Sequence, residues 1–161
     1  MALLAVVGCS DPSASDRSLG PEAPAARMRE VVSANGRRLE APVWLDQAPD
    51  KFDRALRELD AAVEAFSASL KRNVEPDTVE IYPYGFEAFP VDNGLAAGYT
   101  HEGRITIAWY RDPPHLRALG HELCHVARPD LNHAEIDADE RLTAARDAAR
   151  TAQAAVRVGS P

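Results

Sequence analysis

Residues 119–137 read LGHELCHVARPDLNHAEID and hold three of the chain's five histidines. Leu116, Leu119 and Leu123 recur through this region at helical steps. Asp112 ahead of Pro113-Pro114 is a helix start, because a carboxylate can cap free N–H groups and proline suits the first turn. The spacing predicts one helix from Asp112 to the Arg128-Pro129 pair, where proline forbids continuation. His121 and His125 stand four apart on it, so both imidazoles leave one face and can meet one ion. Glu122 lies one position along, turned too far round to be a natural ligand but able to reach a water held by the metal. The plain alternative is a helix that is rich in histidine and binds nothing.

Two helical imidazoles do not complete a catalytic zinc site, which ordinarily has three protein ligands and one water. The chain can turn back after Pro129, and His133 stands four residues beyond it, close enough to reach the same ion. His133 is therefore the expected third ligand, ahead of Glu135 and Glu140, which approach only from the start of a last helix. Asp130 suits a loop cap or a hydrogen bond to a histidine. The acidic group Glu135, Asp137, Asp139 and Glu140 reads as charge at a helix start, complementing its dipole. Cys124 points away from the metal face and reads as a packed thiol. His115 reads as a solvated residue of the first helical turn. Tyr99 and His101 are candidates for polarising a substrate carbonyl, against the plainer reading as residues of an exposed turn.

Moving outward, LAAGYTHEGRITIAWY gives two extended arms around His101-Glu102-Gly103, and VVSANGRRLEAPVWL gives another pair around Asn35-Gly36, a two-residue hairpin signal. Between them, Phe52, Leu56, Leu59, Val63, Phe66 and Leu70 mark an amphipathic helix opened by Pro49-Asp50. DTVEIYPYG is a short strand with Val79 and Ile81 on one side. Ala138, Leu142, Ala145, Ala149, Ala152 and Val156 form a stripe of mostly small residues on a long C-terminal helix that can pack closely. The expectation is an α+β domain over residues 28–158: a small hairpin-built sheet packed with an N-terminal helix, the histidine helix and the C-terminal helix.

The chain has 161 residues, enough for one core, and a formal charge of -7 with scattered basic residues, which argues against nucleic acid as a partner. Cys9 and Cys124 sit in contexts too different for a disulfide. Residues 1–9, MALLAVVGC, read as a signal peptide whose missing basic start points to an upstream initiation codon or a trimmed chain. Val6-Val7-Gly8-Cys9 resembles a bacterial lipobox, with Cys9 the lipidation site; a buried first strand is the alternative. Residues 10–27, rich in Ser, Pro, Ala and Asp, read as a disordered tether. The expected membrane contact is the N-terminal lipid anchor alone, and Ser10 after the cysteine resembles outer-membrane sorting.

With HELCH at 121–125, a hairpin before it and His133-Ala134-Glu135-Ile136 after it, the chain resembles the zincin metallopeptidases, and among them the compact SprT-like and WLM forms. It departs from the metzincin pattern, having Arg128 and Leu131 where that pattern needs glycine and a ligand. The resemblance implies Zn2+ on His121, His125 and His133, Glu122 as the catalytic base, and Ile105 to Tyr110 as an edge strand along which a peptide lies. The function it implies is hydrolysis of peptide bonds in a peptide or protein substrate, and the lipobox-like start places the expected activity in the bacterial cell envelope. The competing class is a non-catalytic lipoprotein that binds zinc or an extended peptide.

Overall fold

Val79, Ile81, Ile105 and Ile107 alternate with polar residues, and that period of two turns all four to one face, where they are fully buried. They belong to a five-stranded sheet in the order β1-β2-β3-β7-β6. The structure, a computed structural model, describes residues 27–84, 88–91, 94–108, 110–111 and 114–159. The expectations for Cys9 and for all of the tether but Arg27 fall on residues 1–26, outside the described residues.

β1 (Met28–Val32) and β2 (Arg38–Pro42) form one antiparallel hairpin, and β6 (Gly98–His101) and β7 (Arg104–Ile107) form the other. β3 (Thr78–Ile81) lies between them and runs parallel to both β2 and β7. The hairpins thus supply both edges, while the centre is parallel. This follows because α1 (Pro49–Leu70) carries the chain across the sheet between β2 and β3. On the open face Arg104 donates to Glu80 (2.7 Å) and Glu40, binding three strands through side chains. Two small ribbons stand apart, β4 (Phe89–Val91) with β5 (Gly94–Ala96), and β8 (Tyr110–Arg111) with β9 (Pro114–His115).

The helices cover the buried face. Phe52, Leu59, Val63 and Phe66 of α1 join Leu119 and Leu123 of α2 (Leu119–Ala127), and Leu142, Ala145 and Ala149 of α4 (Glu140–Val158), in one core cluster with the sheet. α3 (His133–Ala138) is a short helix before α4. The architecture is α+β, a small sheet packed against helices. Small residues let α2 and α4 approach closely: a Cβ on Gly120 would lie 3.2 Å from the Arg146 carbonyl oxygen. Among the described residues no helix is long and apolar enough to cross a membrane.

Three expectations about local structure change. The Asn35-Gly36 pair does not form a two-residue turn, because residues 33–37 loop around the Asp60 carboxylate. Ser33 Oγ (2.6 Å), Arg37 Nη1 (2.9 Å) and Asn35 N (3.3 Å) all donate to it. Only Gly36 of that pair has positive φ, whereas Glu102 and Gly103 both do and form the expected tight turn between β6 and β7. The histidine helix begins at Leu119 rather than Asp112, since Pro114–His115 pairs as β9 and the Leu116 N–H donates to Glu58 of α1 at 3.4 Å. His115 therefore lies in a strand. The last helix begins at Glu140, not Ala138, because Asp139 caps it by accepting from the Arg141 (2.9 Å) and Leu142 (3.1 Å) N–H groups.

Candidate metal centre

α2 ends where the residue before Pro129 must leave helical geometry: Arg128 has φ -140° and ψ 76°. Its guanidinium donates twice to Asp130, at 2.9 and 2.8 Å, so Asp130 serves the loop and not a histidine. Helix then restarts at once. Asn132 Oδ1 accepts from the Glu135 N–H (3.1 Å) while Glu135 Oε2 accepts from the Asn132 N–H (2.8 Å), a reciprocal capping box. That box sets the direction of α3, whose first residue is His133. The third imidazole is thus delivered by a helix start instead of a free loop.

The three histidines converge. His121, His125 and His133 each offer a nitrogen, and these atoms lie within 4.8 Å of one another. His125 Nε2 and His133 Nε2 are 3.1 Å apart. The rings pack with centroids 4.9 to 5.2 Å apart, His121 parallel to His133 and His125 edge-on to both. His121 Nε2 is buried and has no hydrogen-bond partner among the described residues. A buried polar atom without a partner costs free energy, and a shared metal ion removes that cost. Burial, helped by neighbouring His125 and His133, pushes the His121 imidazole down to about 4, so at neutral pH it keeps a lone pair to offer. Three close imidazoles fit a divalent transition metal.

Glu135 and Glu140 are not in this group: the first is engaged in the capping box, and the second sits in the first turn of α4. His101 is also outside it, exposed on β6 with its ring stacked on Tyr99. Tyr99 packs on a separate small cluster of Phe89, Ala96 and Ala108. Cys124 is buried on the α4 side, its thiol within 3.8 Å of the Leu142 carbonyl oxygen and pushed up to about 12 by burial, which makes it unreactive. Asp137 of α3 is held by Arg146 of α4 at 2.6 Å, and both act on the charge of His121.

Glu122 is fully buried and turned toward β6, where its Oε2 accepts from Thr100 Oγ1 at 2.8 Å. The strand beside the site is therefore β6, one of the two edges of the sheet. β7 and the residues from Ile105 are not an edge, because the hairpin folds that arm between β6 and β3. Thr100 and Gly98 were not legible as site residues, since no pattern in the sequence links β6 to α2. The Asn132-x-x-Glu135 capping box was a readable signal for α3. No protein-family model, curated protein or solved structure matches this chain.

Proposed function

We propose that the protein is a zinc-dependent hydrolase, a metallopeptidase that cleaves peptide bonds in peptide or protein substrates. The observation that carries this reading is the convergence of His121 and His125 of α2 with His133 of α3, beside the buried Glu122 of α2. Zinc suits three neutral imidazoles, and when bound it supplies a water that ionises near neutral pH. Glu122 is the residue that takes the proton from water on its carboxylate and passes it to the departing amine. Asp130, Glu135, Asp137 and Asp139 are engaged in ion pairs and caps, and Glu140 sits in the first turn of α4 outside the histidine group, so Glu122 is the carboxylate put forward for that role. The outer edge of β6, which pairs with no further strand among the described residues, suits an extended peptide lying alongside. Acylation at Cys9, read from Val6-Val7-Gly8-Cys9, would tether the domain to the bacterial envelope, at the outer membrane by the resemblance at Ser10.

The test is metal content and turnover of the purified protein. It should hold close to one zinc and cleave an unfolded protein, and Glu122→Gln should abolish cleavage with zinc retained. Equal turnover in the variant removes Glu122 as the base. Zinc without turnover in the parent assigns the protein to the non-catalytic class.

A further inference from the structure

Glu122 is held by a device the other site residues do not share. A fully buried carboxylate needs donors, and Thr100 Oγ1 lies 2.8 Å from Oε2 while also approaching the Glu122 carbonyl oxygen at 3.3 Å. The carboxylate is the stronger acceptor, so the single hydroxyl proton goes to it. Two residues earlier, Gly98 lies against the other oxygen. A Cβ there would come within 2.5 Å of Glu122 Oε1 and 2.8 Å of the Ala118 Cβ. The φ of Gly98 is not in the left-handed region, so its requirement is space and not backbone freedom. Gly98 and Thr100 are alternate residues of one strand, so they face α2 together. Glu122 is thereby boxed, with an absent side chain under one oxygen and a hydroxyl on the other.

We propose that Thr100 is a positioning residue for Glu122, orienting its carboxylate toward the metal-bound water, and that Gly98 provides the room for this pose. The inference rests on the zinc hydrolase reading but adds a residue that touches no ligand. It also puts the support of the base and the proposed peptide-accepting edge on one strand, since β6 carries Thr100 and is the last strand on its side of the sheet.

The experiment compares the parent, Thr100→Val, Thr100→Ser and Glu122→Gln, each loaded with zinc for kinetics and with cobalt for visible absorption. Thr100→Val keeps the shape of threonine and removes its donor. It should lower kcat roughly 10–100-fold, as loss of a supporting hydrogen bond beside a metal site does, with KM and zinc affinity unchanged. Thr100→Ser should return kcat to within a few-fold of the parent. The cobalt spectrum should shift in Thr100→Val in the same sense as in Glu122→Gln, because both disturb the group facing the metal-bound water. A parent-like kcat in Thr100→Val, or a serine variant as slow as the valine one, overturns the proposal. If the parent cleaves nothing, the hydrolase reading fails and the spectra alone decide: a parent-like Thr100→Val spectrum overturns the positioning role, and the shared shift supports it.

Discussion

At the scale of single residues, the site depends on one histidine that sequence spacing made a candidate and on glutamates that have other work. His133 offers a nitrogen to the same point as His121 and His125, while Glu135 completes the cap of α3. His133→Ala should therefore weaken zinc binding by more than the roughly 10–100-fold expected for a residue outside the coordination shell. Glu135→Ala should keep zinc affinity near that of the parent and cost about 1 kcal/mol through the lost cap. Competitive titration against a chromophoric chelator, with a urea melt for each variant, checks both outcomes. A glutamate variant that loses zinc while His133→Ala keeps it would reassign the third ligand. That His133, and not a glutamate, comes close to His121 and His125 was legible from its distance beyond Pro129.

At the scale of elements, α1, α4 and the segment entering α2 are joined by a charge buried under them. Glu58 is fully buried, and its Oε2 accepts from the Leu116 N–H at 3.4 Å and from Arg157 Nη1 at 3.2 Å. Burial pushes its carboxyl up against the opposing pull of Arg157. A raised value means the folded state favours the proton, so the ionised group disfavours folding increasingly as pH rises, and Arg157 offsets part of that. Arg157→Met should destabilise the protein by about 1–3 kcal/mol at neutral pH, less than for a wholly buried pair because the guanidinium is partly exposed. The deficit should shrink as pH falls through the raised Glu58 value, since a neutral carboxyl no longer needs the arginine. Chemical denaturation at several pH values reads this directly; a deficit independent of pH would mean that the arginine acts by packing alone.

For the whole molecule, a continuous apolar core runs from Leu39 through α1, α2 and α4, and this burial holds the fold without a metal ion. Metal removal should accordingly leave the fold intact while lowering its stability through lost ligand linkage. At a free metal concentration about 1,000 times Kd this is about 4 kcal/mol. For a domain of this size each kcal/mol corresponds to roughly 2–4 °C, so chelation should lower Tm by roughly 8–16 °C with far-ultraviolet circular dichroism unchanged at 25 °C. Loss of the helical signal on chelation would instead make the metal part of the folding core.

What the sequence determined by itself are the features that depend on neighbours along the chain. The period of Phe52 to Leu70 makes α1, and the alternation at Val79 and Ile81 makes a buried strand. The turn at Glu102-Gly103, the four-residue step from His121 to His125 and the stop at Pro129 are local too. What only the tertiary structure decided depends on partners far away in sequence. Glu58 holds the chain extended at Leu116, so the histidine helix starts late, although Asp112 and its prolines form a sound local start. Asp60 draws residues 33–37 into a wider loop than Asn35-Gly36 would choose alone. The crossover through α1 makes β3 parallel to β2, and the pairing of β7 on the far side of β3 leaves β6 as an outer strand. The clasp of Thr100 on Glu122 spans 22 positions and exists only because β6 packs on α2. Local sequence sets the range of conformations a segment favours, and burial against the rest of the chain selects among them, because a desolvated carboxylate or an apolar face outweighs the small preference of a turn or a cap.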